Sequence, residues 1–338
     1  MKVVFQSYNT CCQNKSGGVN NRVHKLKDLL EQSGIEVDYF NQFTSNLQDY
    51  DVLHVFMIDH ENYGLIKYAK ANGIKVVISS IISLGTGKKV DFNRVLLSRI
   101  PLWTDWKMMI QSARLADCII AETEEEKYFL IKHYNVDADK IRIIPNGVDR
   151  IENPGEQIFS YLGSKKKFVL QVGRFDNNKN QLNVIRAMKD TDIDIVFIGG
   201  PDHTSGKAYY EECIEEATGK NNIHFLGWQK QNSEILRSAY CHADTLILPS
   251  FNETFGLVLL EAGMAGAKLA ISNTLPILEY DVFKECNTFN PKDSNEIRNV
   301  LIKTLNAPKD NRFREKLEKT FSWNSVIDEH IEIYHSLS

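Results

Sequence analysis

Glu253 and Glu261 stand eight positions apart in the stretch Glu253-Thr-Phe-Gly-Leu-Val-Leu-Leu-Glu261. The first follows an apolar Leu248-Pro249-Ser250 segment that reads as the end of a strand, and the second lies about two turns into the helical pattern that comes next. Carboxylates accept hydroxyl protons, and the free N–H groups of a helix start attract anions. Such a place can bind sugar hydroxyls and phosphate together, although two carboxylates alone also fit acid and base work across a glycosidic bond. Two cations decide between these chemistries. Arg174 and Lys179 follow an earlier strand-like run, and their charge-assisted hydrogen bonds suit a pyrophosphate.

The elements that must position these residues are short apolar runs alternating with helical patterns, the pattern of β-α units around a parallel sheet. Strands are expected at 3–6, 36–40, 52–56, 75–79, 118–121 and 141–144, and a helix between the first two carries Val19, Val23, Leu26 and Leu30 on one face with Gly34 as its stop. Turn residues including Pro145, Asn146, Gly147, Pro154 and Gly155 mark a linker at roughly 145–166. The pattern then restarts with strands at 168–172, 194–198, 223–226, 245–248 and 268–271. The expected fold is α/β, with two Rossmann-like doubly wound domains. In open parallel sheets ligands bind beyond the carboxyl ends of the strands, where this sequence has Gly173-Arg174, Gly199-Gly200, Gly227-Trp228 and Ser250 to Glu253.

The bulk composition agrees with a bilobal enzyme. The 338 residues suffice for two cores, and 43% hydrophobic with 25% charged residues is ordinary globular composition. A net charge of -4 gives no basis for a nucleic-acid partner. The six cysteines comprise the adjacent Cys11 and Cys12 and the scattered Cys118, Cys213, Cys241 and Cys286, with no C-x-x-C. Reduced thiols in a cytoplasmic protein are the simplest reading. No apolar stretch reaches the length of a spanning helix.

In order along the chain, Gly17-Gly18, Ile144-Pro-Asn-Gly-Val-Asp149, Val172-Gly-Arg-Phe175 with Lys179, Phe225-Leu-Gly-Trp228, Pro249 to Gly256 through Glu261, Leu275 to Glu279, and Phe321-Ser-Trp323 with Tyr334 form a series. This series resembles the retaining glycosyltransferases of GT-B architecture, specifically glycosyltransferase family 4, over nearly the whole chain. The resemblance implies an acceptor-side domain over 1–150, a nucleotide-sugar domain over 160–321 across a central cleft, and a terminal helix at 322–338 that crosses back to the first domain. It implies that Arg174 and Lys179 hold the donor pyrophosphate and stabilise the leaving nucleotide diphosphate, that Glu253 contacts the transferred sugar, and that Glu261 binds the ribose. Backbone N–H groups near Phe255, Gly256 and Leu257 would meet the phosphates, Gly173 would let the backbone approach, the Trp228 segment would line the base pocket, and Gly17 and Gly18 would close over the donor.

One departure concerns the reacting carbon. Many family members carry a histidine after the strand matching Lys75 to Ser79, whereas this chain reads Ser79-Ser-Ile-Ile-Ser-Leu-Gly85. His54 and His60 lie near the preceding strand, and a structural role is the safer reading of both. Glu122-Thr123 is a further cleft candidate. Asp192-Ile-Asp194 and Asp137-Ala-Asp139 have metal-binding spacing but precede strands, so turn and capping roles are expected. Gly85-Thr-Gly-Lys-Lys89 lacks the first glycine and the hydroxyl of a phosphate loop. Arg22, Lys25 and Lys27 beside His24 give the first helix a basic face, which suits either solvent or peripheral contact with an anionic membrane.

The expected function is transfer of a hexose or N-acetylhexosamine from a nucleotide-diphosphate sugar, UDP before GDP, to a glycan or glycolipid hydroxyl with retention. Cell-surface polysaccharide or lipid-linked glycan synthesis is the expected setting. No metal or further cofactor is needed, because the two cations and the helix terminus supply the charge. A nucleotide-sugar epimerase on the same scaffold and a sugar-nucleotide-binding protein without turnover stay open as alternatives.

Overall fold

In the computed structural model, the apolar runs form two all-parallel sheets, described over residues 1–7, 17–82, 103–151, 155–201 and 206–337. Cys11, Cys12, Pro154 and the stretch from Gly85 to Lys89 lie outside the described residues. The chain divides into one unit of Met1–Gly147 with Trp323–Ser338 and a second of Val148–Ser322.

The first unit runs β1 (Lys2–Gln6), α1 (Gly18–Gln32), β2 (Glu36–Tyr39), β3 (Val52–Phe56), α2 (Tyr63–Ala71), β4 (Lys75–Ser79), α3 (Asp105–Leu115), β5 (Cys118–Ala121), α4 (Glu124–Phe129) and β6 (Ile141–Ile143). The second continues with α5 (Gln157–Leu162), β7 (Phe168–Val172), α6 (Gln181–Met188), β8 (Asp194–Ile198), α7 (Gly206–Glu216), β9 (Ile223–Phe225), α8 (Glu234–His242), β10 (Thr245–Leu248), α9 (Leu257–Met264), β11 (Lys268–Ser272), β12 (Asn287–Phe289), α10 (Ser294–Asn306) and α11 (Asn311–Phe321). Helix α12 (Trp323–Leu337) returns to the first unit.

The first sheet has the order β2-β1-β3-β4-β5-β6 and the second β12-β11-β10-β7-β8-β9. Strands β3 and β5 are buried along their whole length, as continuous apolar runs covered on both faces should be. Helix α1 buries Val23, Leu26 and Leu30 and stops where Gly34 takes a left-handed φ of 84°.

Two expectations change. The stretch from 145 to 166 is not all linker, because α5 lies within it and buries Ile158 completely. Strand β12 escapes notice in the sequence because it has three residues and only Phe289 is buried.

Helix α12 is integral to the first unit. A Cβ at Gly147 would lie 2.4 Å from the Trp323 ring, so the turn after β6 admits no side chain there. Further along, Tyr334 is fully buried and its hydroxyl pairs with His54 Nδ1 at 2.6 Å. His54 Nε2 meets Ser79 Oγ at 3.0 Å, so both ring nitrogens of this buried histidine are occupied within the core.

Candidate functional site

In the second unit the chain order reverses beside β7: β8 and β9 lie on one side, and β10, β11 and β12 on the other. Beyond the carboxyl ends of β7 and β10, loops leave in opposite directions and open a crevice, the usual ligand position in such sheets. The turn after β7 carries Arg174 and Lys179, and the loop after β10 carries Glu253.

These side chains meet although 74 positions separate them. Lys179 Nζ donates to Glu253 Oε1 at 2.5 Å, and Ser250 Oγ donates to the same oxygen at 2.5 Å. Arg174 pairs with Asp176 Oδ2 at 3.2 Å and keeps about half of its side chain exposed. Lys179 lies just before the helix, because Asn180 adopts a left-handed φ of 59° and α6 starts at Gln181.

A set of side chains that the sequence reading left aside builds this arrangement. Asp176 Oδ1 accepts from Lys179 N at 2.8 Å and closes the cation-bearing turn. Gln171 and Gln181 donate to the carbonyls of Lys179 and Arg174 at 2.8 and 2.6 Å. Asn178 exchanges bonds with the Asn252 backbone at 2.8 and 3.0 Å, and Asn180 reaches the Pro249 carbonyl at 3.1 Å. The two loops are thus one hydrogen-bonded unit. Their signal in the sequence is the amide-rich run Asp176-Asn-Asn-Lys-Asn-Gln181.

Close backbone approach explains the glycines on the rim. A Cβ at Gly199, whose φ is 136°, would fall 2.0 Å from the Gly173 carbonyl oxygen. One at Gly200 would fall 2.6 Å from Trp228 Nε1, so the half-exposed indole lies against bare backbone at the ends of β8 and β9.

Helix α9 follows the loop that carries Glu253. Gly256 takes φ 96° at its N-cap, and the N–H groups that follow belong to the orphan set of a helix start. The Phe255 side chain is buried against Tyr280 and Phe321 and packs into the core of the second unit. Glu261 is the fifth residue of α9, little more than one turn in, and not two turns as the sequence suggests. Its Oε2 accepts from the Tyr240 hydroxyl. Burial raises the Glu261 carboxyl above its ordinary range, and the Tyr240 bond offsets part of that rise.

The remaining candidates lie in the first unit. Gly17 caps α1 and Gly18 opens it, and a Cβ at Gly17 would meet nothing within 4 Å. Arg22 does not join a basic face: it is buried, and Nη1 donates to Glu122 Oε1 at 2.5 Å, with Asn146 Nδ2 on the same oxygen at 2.6 Å. Glu122 is therefore closed off inside the unit, while Thr123 caps α4 by accepting from Glu126 N at 3.1 Å. Asp194 of the first metal-spaced pair accepts from His224 Nε2 at 2.8 Å through Oδ1. Among the described residues no helix is long and apolar enough to cross a membrane.

The profile described as "Glycosyl transferases group 1" matches residues 156–320, and "Glycosyltransferase Family 4" matches residues 41–151. The folded chain superimposes on sucrose-phosphate synthase from Thermosynechococcus elongatus with a TM-score of 0.78 at 17% identity, covering 99% of this chain and 98% of the other. Its TM-score with Anabaena HepE in complex with UDP is 0.76 at 17% identity, covering 99% and 100%. The chain belongs to the family 4 type of GT-B glycosyltransferases.

Among curated relatives, this family 4 chain is 29% identical to D-inositol 3-phosphate glycosyltransferase of Corynebacterium glutamicum (strain R) over 180 residues, 48% of this chain and 43% of the relative. The match therefore spans less than half of that protein. An uncharacterized 41.2 kDa protein in the cps region of Klebsiella pneumoniae is 27% identical over 239 residues, 66% and 63% of the two chains.

Proposed function

We propose that this family 4 chain transfers a hexose or N-acetylhexosamine from a nucleotide-diphosphate sugar, UDP before GDP, to a hydroxyl of a glycan or glycolipid acceptor, with retention of configuration. The observation that carries this reading is the meeting of Lys179 with Glu253, with Arg174 on the same turn, in the β7–β10 crevice. Arg174 and Lys179 bind the pyrophosphate and stabilise charge on the departing diphosphate, with the first N–H groups of α9, at Gly256 and Leu257, supporting it. Glu253 accepts hydroxyl protons of the transferred sugar, Glu261 those of the ribose, and Trp228 borders the base. Gly17 and Gly18 are further donor contacts in this reading; a Cβ at Gly17 would meet nothing of the chain itself within 4 Å.

A donor phosphate oxygen that takes the acceptor proton on the same face as the departing diphosphate gives retention without a histidine after β4. The complexes of HepE with UDP and with UDP-glucose favour UDP as the first nucleotide to test.

Lys179→Ala and Arg174→Ala should both weaken donor binding and lower turnover, the first by about tenfold or more as a charge-assisted contact is lost. Calorimetric titration and initial rates check this, and unchanged values in both variants refute the phosphate assignment. Product analysis with donor alone separates transfer from epimerisation, which needs no acceptor.

A further inference from the structure

Glu253 is held by one of its two oxygens. Lys179 Nζ and Ser250 Oγ both donate to Oε1, whereas Oε2 has no hydrogen-bond partner among the described residues. The side chains of Glu253 and Lys179 keep 12% and 20% of their area exposed at the crevice, but Ser250 is fully buried. A buried hydroxyl cannot itself touch a ligand, so its bond to Glu253 acts through the carboxylate.

We infer that Ser250 is a positioning residue for Glu253, and that Oε2 is the oxygen presented to a hydroxyl of the transferred sugar; this rests on the donor reading above. A terminal carboxylate turns about a broad, roughly two-fold torsion. Two donors on one oxygen stop that turning and leave the other oxygen with its lone pairs directed outward. Lys179 spends one of its three N–H donors on Oε1 and keeps the others for phosphate. The sugar hydroxyl and the diphosphate are therefore registered against each other through a single oxygen.

The division of labour makes Ser250 matter for the sugar and not for the diphosphate. The full chain and its S250A, S250T and R174A variants are titrated calorimetrically with UDP, GDP, UDP-glucose and GDP-glucose. S250A should bind the diphosphate within about twofold of wild type and lose roughly tenfold in affinity for the glucose-bearing donor, the scale of a hydrogen bond to a charged group. S250T, which keeps the hydroxyl, should retain the sugar-dependent part. Equal donor and diphosphate affinities in S250A and wild type overturn the inference, as does an equal loss for both ligands, which marks a merely structural serine. A wild-type chain that binds neither diphosphate overturns the donor reading instead, and an R174A chain that binds diphosphate normally does the same.

Discussion

Glu261 and Tyr240 make the most informative pair at the scale of single residues. Burial raises the Glu261 carboxyl, Tyr240 donation lowers it, and the buried tyrosine is itself pushed well above its ordinary range. A ribose hydroxyl needs the carboxylate form as acceptor, so UDP affinity should fall as pH drops through the raised Glu261 titration. Tyr240→Phe removes the offsetting bond. The fall should then begin at higher pH, and affinity at neutral pH should weaken by about tenfold, the scale of a hydrogen bond to a charged group. Calorimetry with UDP across pH 5 to 8 checks it, and superimposable pH profiles would sink the ribose role. The types and spacing of Glu253, Glu261, Arg174 and Lys179 are legible in the sequence. The partners that aim them are not, because Asn178, Asn180 and Tyr240 act across loops and helices that no local pattern connects.

At the scale of elements, the turn after β4 is held by the first turn of α4. Glu126 accepts from Ser80 Oγ and Ile82 N at 2.8 Å each through Oε1, and from Glu122 N at 2.7 Å through Oε2. Between the first two lies Ile81 with a left-handed φ of 44°, a conformation that a β-branched residue adopts only when its surroundings impose it. Burial, and then the charge of Glu122, push the Glu126 carboxyl up to about 7. A raised acid keeps a proton in the folded state that the unfolded chain releases, so its contribution to stability falls as pH rises from about 4.5 to 7. His330 has the opposite sign. Its pKa is lowered to about 4 by burial and then by Arg22, so stability rises with pH from about 4 to 6.5. Glu126→Gln removes only the first contribution. The melting temperature of E126Q relative to wild type should therefore climb between pH 4.5 and 7, and a constant difference across that window would contradict the buried-acid account.

At the scale of the whole molecule, the first unit is discontinuous and the second is not. The first needs α12: Trp323 seats on Gly147, and Tyr334 closes the His54 network. Trp323→Ala should destabilise the first unit by about 3–5 kcal/mol, the range for a buried aromatic truncated in a core. Hydrogen exchange resolves the consequence. Amides of β3 and β4 should lose protection while those of β7, β8 and β10 keep theirs, and an equal loss in both units would mean that the two cores fold as one. The second unit buries its own core around Phe168, Leu170, Phe255, Phe283 and Phe321.

The alternation of strands and helices, the GT-B resemblance and the chemistry available at strand ends can all be read from the residues, because burial periodicity and residue type are local properties. Which strand ends are neighbours depends on how the whole chain packs. The β10-β7 pairing brings Ser250 and Lys179 onto one oxygen of Glu253, and Arg22 of α1 is buried against Glu122 after β5, 100 positions away. Strand order follows from crossover handedness and from which apolar faces must be covered, and both are settled by the chain as a whole. Thus Glu253 and Glu261, alike in the sequence, end with different partners: a lysine and a serine for one, a buried tyrosine for the other.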